Sequence, residues 1–252
     1  MSAHLDLQIL PQPDDVTCGP TCLQAVYGYY GDGISIQRVI DEVEPLETRG
    51  SMAVLLAHHA LRRGYRATLH AYDLDVFDPS WFAGNEVDIG AKLKLQAAAK
   101  PSRMLQFMTK AYLRFLDLGG ELHHQELNPD LLVRLLARGP VLTGLSATYL
   151  YGCAREREDE DGRLQYDDLK GHATGHFVVL YAYHAGTREV LVADPLRGNP
   201  RSGDHQHYAV GIDRLLGAIM LGVLTYDGNL LLLEPDMGER GMDVESSSSR
   251  DG

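Results

Sequence analysis

The sequence predicts an α+β fold, in which helices from the first half of the chain pack on an antiparallel sheet from the second half. Apolar residues recur at helical spacing through much of the first 138 residues. Beyond that point, turn residues separate short segments that are apolar or alternating, which is the pattern of strands. Helices first and strands afterwards, rather than a regular alternation of the two, is typical of α+β proteins.

Capping residues mark the predicted helices of the first half. Serine and asparagine favour the N-terminal cap, proline the first helical turn, and glycine the position beyond the last turn. On this basis helices are expected at residues 18–30, 35–43, 51–64, 73–118 with a break at Pro101-Ser102, and 128–138. Short strands are expected at residues 5–10, 65–72 and 121–125.

The second half is predicted to supply most of the sheet. Strands are expected at residues 141–146, 176–184, 189–193 and 207–210, and two more within 221–233 around the hairpin signal Asp227-Gly228-Asn229. A helix at residues 212–220 is expected to pack beside them, and the acidic segment 155–162 to form a solvated loop that borders a cleft.

We expect residues 1–236 to form a single domain. The helical stretch at about residues 73–138 is interpreted as an insertion, and the serine-rich segment 237–252 as a disordered tail. A chain of 252 residues can bury one sizeable core together with such an insertion.

Composition excludes several classes of partner. The formal charge is −12, so phosphate backbones and anionic membrane surfaces are repelled, and neither nucleic acid nor membrane is expected as a partner. The three cysteines are too few for a disulfide framework, and there is neither a secretory signal nor an apolar run of membrane-spanning length. We expect a soluble, cytoplasmic protein of bacterial type with reduced thiols.

The segment Gln12 to Cys22 carries a candidate nucleophile. Cys18 lies where a loop becomes a helix, and the positive end of a helix stabilises an anion such as a thiolate by roughly 0.3–1 kcal/mol. Gly19 would let a substrate approach the backbone, and Pro20 suits the first helical turn. The backbone N–H of Cys18 and the side-chain amide of Gln12 are candidate donors to the oxyanion of an acyl-transfer intermediate.

His176 and Asp194 are predicted to form a base and its orienting carboxylate. The strands 176–184 and 189–193 are joined by Ala185-Gly186-Thr187. If the hairpin is centred near residue 185, residues whose numbers sum to 370 face each other, and His176 and Asp194 meet that condition. Directly opposed side chains lie on the same face of the sheet, whereas a shift of one residue in register would separate them.

Other candidates have simpler interpretations. Cys22 lies one helical turn beyond Cys18 and is expected in the core, and Cys153 has no apparent partner motif. The histidines at positions 58–59, 123–124, 205 and 207 occur without a metal-binding motif, so no metal and no cofactor are expected. Gly19, Gly175, Tyr149 and Tyr151 are candidates for contact with the substrate.

Together these motifs resemble the C39-like branch of the papain-like cysteine peptidases. That family shows Gln, five residues, Cys-Gly-Pro, a later His before an apolar strand, and then Asp-Pro. The resemblance implies a papain-like fold with Cys18 as nucleophile, His176 as general base, Asp194 as its orienter and Gln12 as oxyanion donor. A peptide or small amide would be the substrate, cleaved through a thioester on Cys18.

The sequence departs from the best-known members of that family. Thr17 stands where bacteriocin-processing members often have Asp, the helical stretch is long, and no transporter segment is expected to follow. We therefore expect a stand-alone peptidase or amidase rather than processing of an exported leader peptide. Two alternatives stay open: a peptidyl or γ-glutamyl transferase that uses the same thioester, and an inactive papain-like domain that only binds.

Overall fold

The computed structural model describes residues 7–45, 50–84, 87–159, 163–225 and 228–236. Its helices are α1 (Cys18–Tyr29), α2 (Ile36–Glu42), α3 (Ala53–Arg62), α4 (Ile89–Ala99), α5 (Arg103–Asp117), α6 (Pro129–Leu136), α7 (Ala147–Tyr151) and α8 (Ile212–Leu221), with 3-10 turns at Pro79–Phe82 and Gly222–Thr225. Its strands are β1 (Tyr65–Ala71), β2 (Glu121–His123), β3 (Val141–Ser146), β4 (Glu156–Glu158), β5 (Leu164–Tyr166), β6 (Gly175–His184), β7 (Glu189–Ala193), β8 (His207–Gly211) and β9 (Asn229–Pro235).

Seven strands form one sheet in the order β2-β1-β9-β3-β6-β7-β8. All neighbouring pairs are antiparallel except β1 and β2, which are parallel, so the predicted α+β class is confirmed and the sheet is mixed. The C-terminal strands supply its centre and one edge, while β1 and β2 from the first half of the chain extend the other edge.

Helices cover both faces of this sheet. Phe177 and Val179 of β6 belong to a buried cluster that includes residues of α1 to α5, whereas Val178 and Leu180 belong to a second cluster with residues of α6, α7 and α8. Successive side chains of a strand point to opposite faces, so a strand buried on both sides must be apolar throughout. This explains why β6 and β9 read as continuous apolar runs rather than as alternating patterns.

Most predicted helix starts are confirmed by their caps. The side chains of Ser35, Ser102 and Asn128 accept hydrogen bonds from backbone N–H groups in the first turns of α2, α5 and α6. Two predicted helices begin later than expected, because α3 begins at Ala53 rather than Ser51 and α4 begins at Ile89 rather than Asp73.

Three sequence predictions of local structure were wrong. Residues 7–10 form no regular element, and the remainder of that predicted strand lies outside the described residues. Residues 222–225 form a 3-10 turn instead of a strand, because both sides of β9 are already occupied, by β1 and β3. The predicted acidic loop contains β4, which pairs with β5, just beyond the loop, as a separate antiparallel ribbon.

The predicted insertion stays a prediction. Residues 73–138 contain the first 3-10 turn, α4, α5, β2 and α6, and Leu93 and Phe115 from this stretch lie in the core beneath α3. The tail at 237–252 and Asp227 of the predicted hairpin lie outside the described residues. Among the helices of the described ranges, none has the length and apolar character that a membrane span requires.

Candidate active site

Cys18 is the first residue of α1, and α1 packs against β6. Its side chain is partly exposed. Thr17 occupies the N-cap position, but its hydroxyl lies 3.3 Å from the carbonyl oxygen of Asp14 and 3.4 Å from the Asp14 nitrogen, and no side chain caps the helix. The backbone N–H groups at this helix end therefore remain available to stabilise an anion on or near the Cys18 sulfur.

Cys22 lies one turn deeper and is a core thiol. It is fully buried, and its S–H donates to the carbonyl oxygen of Phe177 at 3.2 Å. Burial, followed by the nearby Cys18 and Asp194, raises the pKa of Cys22 well above its usual value. Burial also raises the pKa of Cys153, with a further contribution from Glu156. Both thiols are thus held in the protonated, unreactive form.

The side chains of His176 and Asp194 meet at the end of the sheet. Nε2–H of His176 donates to Oδ1 of Asp194 at 2.9 Å, and both residues are buried. The Cys18 side chain lies close enough to the imidazole to help raise its pKa. Because Nε2 is bound to the carboxylate, Nδ1 is the ring nitrogen left for the sulfur. A thiol, an imidazole and a carboxylate therefore lie together in the order Cys18, His176, Asp194, which we call the catalytic series.

The charges of the imidazole and the carboxylate stabilise each other. Burial alone lowers the pKa of His176, but the charge of the Asp194 carboxylate, its hydrogen bond and the nearby Cys18 outweigh burial and raise this pKa to about 10. Burial raises the pKa of Asp194, yet the imidazolium and the hydrogen bonds that the carboxylate accepts keep it below its usual value. His176 is consequently an imidazolium near neutral pH, and the Cys18 side chain lies beside this cation.

This pairing predicts a specific pH dependence of stability. Because the pKa of His176 rises from 6.5 to about 10 on folding, its stabilising contribution is complete below pH 6.5 and is lost as the pH approaches 10. We expect the free energy of unfolding of the wild type to exceed that of His176→Gln most at pH 6, and the difference to shrink steadily between pH 7 and 10. Urea titrations across this range measure it, and a difference that grows with pH would contradict the assignment.

The two residues meet through a register that differs from the predicted one. Near the turn the paired residues have numbers that sum to 373, as in His184 with Glu189. A β-bulge between Leu180 and Ala182 changes the sum to 372, which continues to Val179 and Ala193. Asp194 therefore falls beside position 178, two residues from His176 on the same face. Without the bulge, the odd sum would place the two side chains on opposite faces.

The carboxylate of Asp194 accepts four hydrogen bonds. Oδ1 accepts from His176 and from the backbone N–H of Leu196, each at 2.9 Å. Oδ2 accepts from the hydroxyls of Tyr151 and Tyr208, each at 2.8 Å. The hydroxyl of Tyr151, which was a candidate for substrate contact, is thus bound to the orienting carboxylate. No motif pointed to Tyr208, and only the pairing of β8 with β7 brings it here.

Gln12 is anchored close to this carboxylate, and its side-chain amide is bound within its own loop. Its backbone N–H donates to the carbonyl oxygen of Pro195, the residue after Asp194, at 2.9 Å. Its side-chain Nε2 donates to the carbonyl oxygen of Asp14 at 2.7 Å, and Oε1 is buried without a hydrogen-bond partner among the residues that the structure describes. An amide nitrogen carries two hydrogens, so one of them remains for a second acceptor.

The other candidates for substrate contact have structural partners. Gly175 pairs with Ser146 at the start of β6. Tyr149 is partly exposed, and its ring lies 5.3 Å beneath the guanidinium of Arg214. A Cβ atom added to Gly19 would lie 2.7 Å from Cβ of Ser51, so the close approach at Gly19 is to the chain itself rather than to a substrate.

Gly19 and Gly28 of α1 provide a matched pair of substitutions. Gly19→Ala places a methyl group against Ser51, and we expect overpacking to lower the free energy of unfolding by about 1–3 kcal/mol. A Cβ added to Gly28 has no neighbour within 4 Å, so Gly28→Ala should stabilise the helix by about 0.5–1 kcal/mol. Urea denaturation measures both values. Equal effects at the two sites would show that Gly19 is not a packing position.

The histidine pairs contribute to packing and hydrogen bonding. His59 donates from Nε2 to Glu42 and accepts at Nδ1 from the hydroxyl of Tyr27. His58 donates from Nε2 to the carbonyl oxygen of Ala111, and His124 from Nδ1 to that of Ala71. Within the described ranges, no three side chains of the kinds that bind metals converge on one point.

Comparisons with known proteins give similarity in structure only. No protein-family model matches the sequence, and no curated protein does. The peptidase domain of Streptococcus ComA, a bifunctional ABC transporter in a quorum-sensing pathway, is 13% identical with a TM-score of 0.42, over 91% of this chain and 98% of that one. A double glycine motif protease from an AMS/PCAT transporter, solved with its leader peptide, is 13% identical with a TM-score of 0.42, over 92% and 93% of the two chains.

A C39-like peptidase from Bacillus anthracis is also 13% identical, with a TM-score of 0.49, over 92% of this chain and 96% of that one. At such identity the likeness concerns the fold, and the chemistry of this chain must be inferred from the contacts of its own residues. The chain is thus similar, at these low values, to three solved peptidases or peptidase domains.

Proposed function

We propose that this protein is a thiol-dependent hydrolase of peptide or other amide bonds, with Cys18 as its nucleophile. The observation that carries the proposal is the hydrogen bond between His176 and Asp194, together with the position of Cys18 beside this imidazole at the start of α1. Cys18 is the partly exposed member of the catalytic series, whereas the imidazole and the carboxylate are buried behind it. A substrate carbonyl can therefore reach the sulfur while water is kept from the ion pair.

The reaction begins from the thiolate and the imidazolium. The Cys18 sulfur attacks the carbonyl carbon, the carbonyl π electrons move to oxygen, and a tetrahedral oxyanion forms. As the intermediate collapses, Nδ1 of His176 gives its proton to the leaving amine and the C–N bond breaks, which leaves a thioester on Cys18. A water molecule then attacks the thioester, His176 takes one of its protons, and the carboxylic acid and the thiolate are released.

The oxyanion requires donors near the sulfur. The backbone N–H of Cys18 at the start of α1 is one, and the second N–H of Gln12 Nε2 is the other that we propose. The tether from Gln12 to Pro195 holds this loop beside Asp194, so the oxyanion donor and the orienting carboxylate are linked through one backbone hydrogen bond. Loss of one such donor typically costs on the order of 10²–10³ in turnover.

Trapping of the thioester tests the proposal. The protein is incubated with p-nitrophenyl esters of N-acyl amino acids, quenched in acid, digested and mapped by mass spectrometry. We expect an acyl adduct on Cys18 that disappears with time or with hydroxylamine. An adduct on Cys22 or Cys153, or on no cysteine, would refute the assignment of Cys18. Added amines that convert the product from acid to amide would identify a transferase instead of a hydrolase.

A further inference from the structure

The side of Asp194 that faces away from His176 is closed by two tyrosine hydroxyls. Oδ2 accepts from Tyr151 and from Tyr208 at 2.8 Å each, and Asp194 is completely buried. We propose that Tyr151 and Tyr208 are positioning residues that hold the Asp194 carboxylate ionised and oriented so that Oδ1 stays on His176. This inference rests on the proposed function, because it assigns these residues to the same catalytic series.

The two tyrosines reach the carboxylate from different elements. Tyr151 ends α7, where Gly152 adopts a left-handed conformation with φ of 70°. Tyr208 lies in β8 opposite Val192 of β7, and Asp194 follows Val192 by two residues, just beyond the end of that strand. Two independent elements therefore converge on one oxygen atom. Together with His176 and the Leu196 N–H on Oδ1, these hydroxyls give the buried carboxylate four hydrogen bonds, which fix the orientation of both its oxygens.

Arginines fix the backbone that carries these hydroxyls. Arg214 donates to the carbonyl oxygens of Tyr149 and Leu150, and Arg201 donates to that of Leu150 at 3.2 Å. The guanidinium of Arg201 also lies 6.0 Å from the ring centroid of Tyr208. Arg201 thus contacts the residue before Tyr151 and the ring of Tyr208, and it links the two supports of the carboxylate.

The ionisation states around Asp194 are consistent with this role. The titratable or charged groups near it are Cys18, Cys22, His176, Arg201 and the two tyrosines. Burial, followed by the charge of Asp194, raises the pKa values of Tyr151 and Tyr208 well above the ordinary tyrosine value. Both hydroxyls remain protonated and can only donate to the carboxylate.

Removal of a hydroxyl has a predictable sign. Each O–H turns the positive end of its dipole towards the carboxylate, so its loss raises the proton affinity of every member of the series. The lower limb of the pH profile, where the reactive thiolate gains a proton, should move to higher pH. The orientation of Oδ1 also loosens, so the imidazole Nε2–H should exchange faster with solvent.

The experiment compares Tyr151→Phe, Tyr208→Phe and the double variant with Tyr181→Phe as matched control. Tyr181 is a half-buried tyrosine of β6 whose hydroxyl lies 3.3 Å from His207 rather than on Asp194. The first readout is the solvent exchange rate of the His176 Nε2 proton in the ¹⁵N-histidine spectrum at pH 7. The second is the pH profile of Cys18 carboxamidomethylation by iodoacetamide.

In each of the two single variants we expect exchange to become about 10-fold faster, as for loss of one charge-assisted hydrogen bond. We expect the midpoint of the lower limb of the Cys18 alkylation profile to move to higher pH by up to about one unit. The control should match the wild type in both. If neither the exchange rate of the His176 Nε2 proton nor the lower limb of the alkylation profile changes in either single variant, the proposal is overturned. The NMR readout needs no reactive thiol, so an inert wild-type Cys18 with faster exchange in the variants would refute the proposed function and retain the positioning role.

Discussion

Replacement of Cys18 by alanine is expected to abolish the acyl-enzyme and to reduce turnover by about 10⁴-fold or more, since members of a catalytic series act as a unit. Without the sulfur no thioester can form, and the imidazolium has no thiolate to pair with. Because Cys18 is only partly buried, the free energy of unfolding should change little. Steady-state turnover, intact-mass detection of the acyl adduct and urea denaturation of the same preparations measure these effects.

Cys22→Ser is the matched control for that variant. The serine hydroxyl can donate to the carbonyl oxygen of Phe177 as the thiol does, and the side chain does not belong to the catalytic series. We expect turnover within a few-fold of the wild type, together with a moderate loss of stability because a polar hydroxyl replaces a thiol in the core. Loss of the acyl adduct in Cys22→Ser, with retention in Cys18→Ala, would reverse the assignment of the nucleophile.

Asp194→Asn is expected to have the second largest effect. The substitution keeps the shape but removes the charge that stabilises the His176 imidazolium, and its NH₂ group faces donors that need an acceptor. Loss of the carboxylate from such a series typically costs about 10⁴ in turnover. Removal of one partner of a buried ion pair costs about 3–5 kcal/mol of stability.

Asp213→Asn is the control for this second prediction. Asp213 forms an ion pair with Arg188 at 2.9 Å, but its side chain is 79% exposed. Since exposed ion pairs contribute roughly 0–1 kcal/mol, the same chemical change should leave turnover intact and alter stability by less than about 1 kcal/mol. If the two substitutions had similar effects, Asp194 would not be the orienting carboxylate.

The sequence was sufficient to predict elements whose signal is local. Caps at Ser35 and Asn128 and continuous apolar runs in β6 and β9 are properties of neighbouring residues, and these elements formed as expected. The strand before Asp227 was predicted from equally local signals, and it failed because β1 and β3 occupy both sides of β9. Which strands border which is a property of the whole sheet.

The candidate site follows the same division. The chain order of Gln, Cys, His and Asp was readable from motifs, and the side chains of His176 and Asp194 do meet. They meet only because a β-bulge changes the strand register, and the position of the turn alone could not predict this bulge. Tyr208 reaches Asp194 through the pairing of β7 with β8, and a glycine is required at position 19 because Ser51 lies close to it. Both roles depend on residues distant in sequence, so neighbouring residues could not predict them.

The central claim is that Cys18 is the nucleophile and is activated by His176, and the rate of its alkylation as a function of pH tests this most directly. The wild type is treated with iodoacetamide between pH 4 and 10, and the peptides that contain Cys18 and Cys153 are quantified. We predict that Cys18 reacts rapidly at pH 6, where Cys153 and a model thiol are almost inert, and that His176→Gln abolishes this advantage. A Cys18 profile that follows the model thiol, with no effect of His176→Gln, would contradict the account.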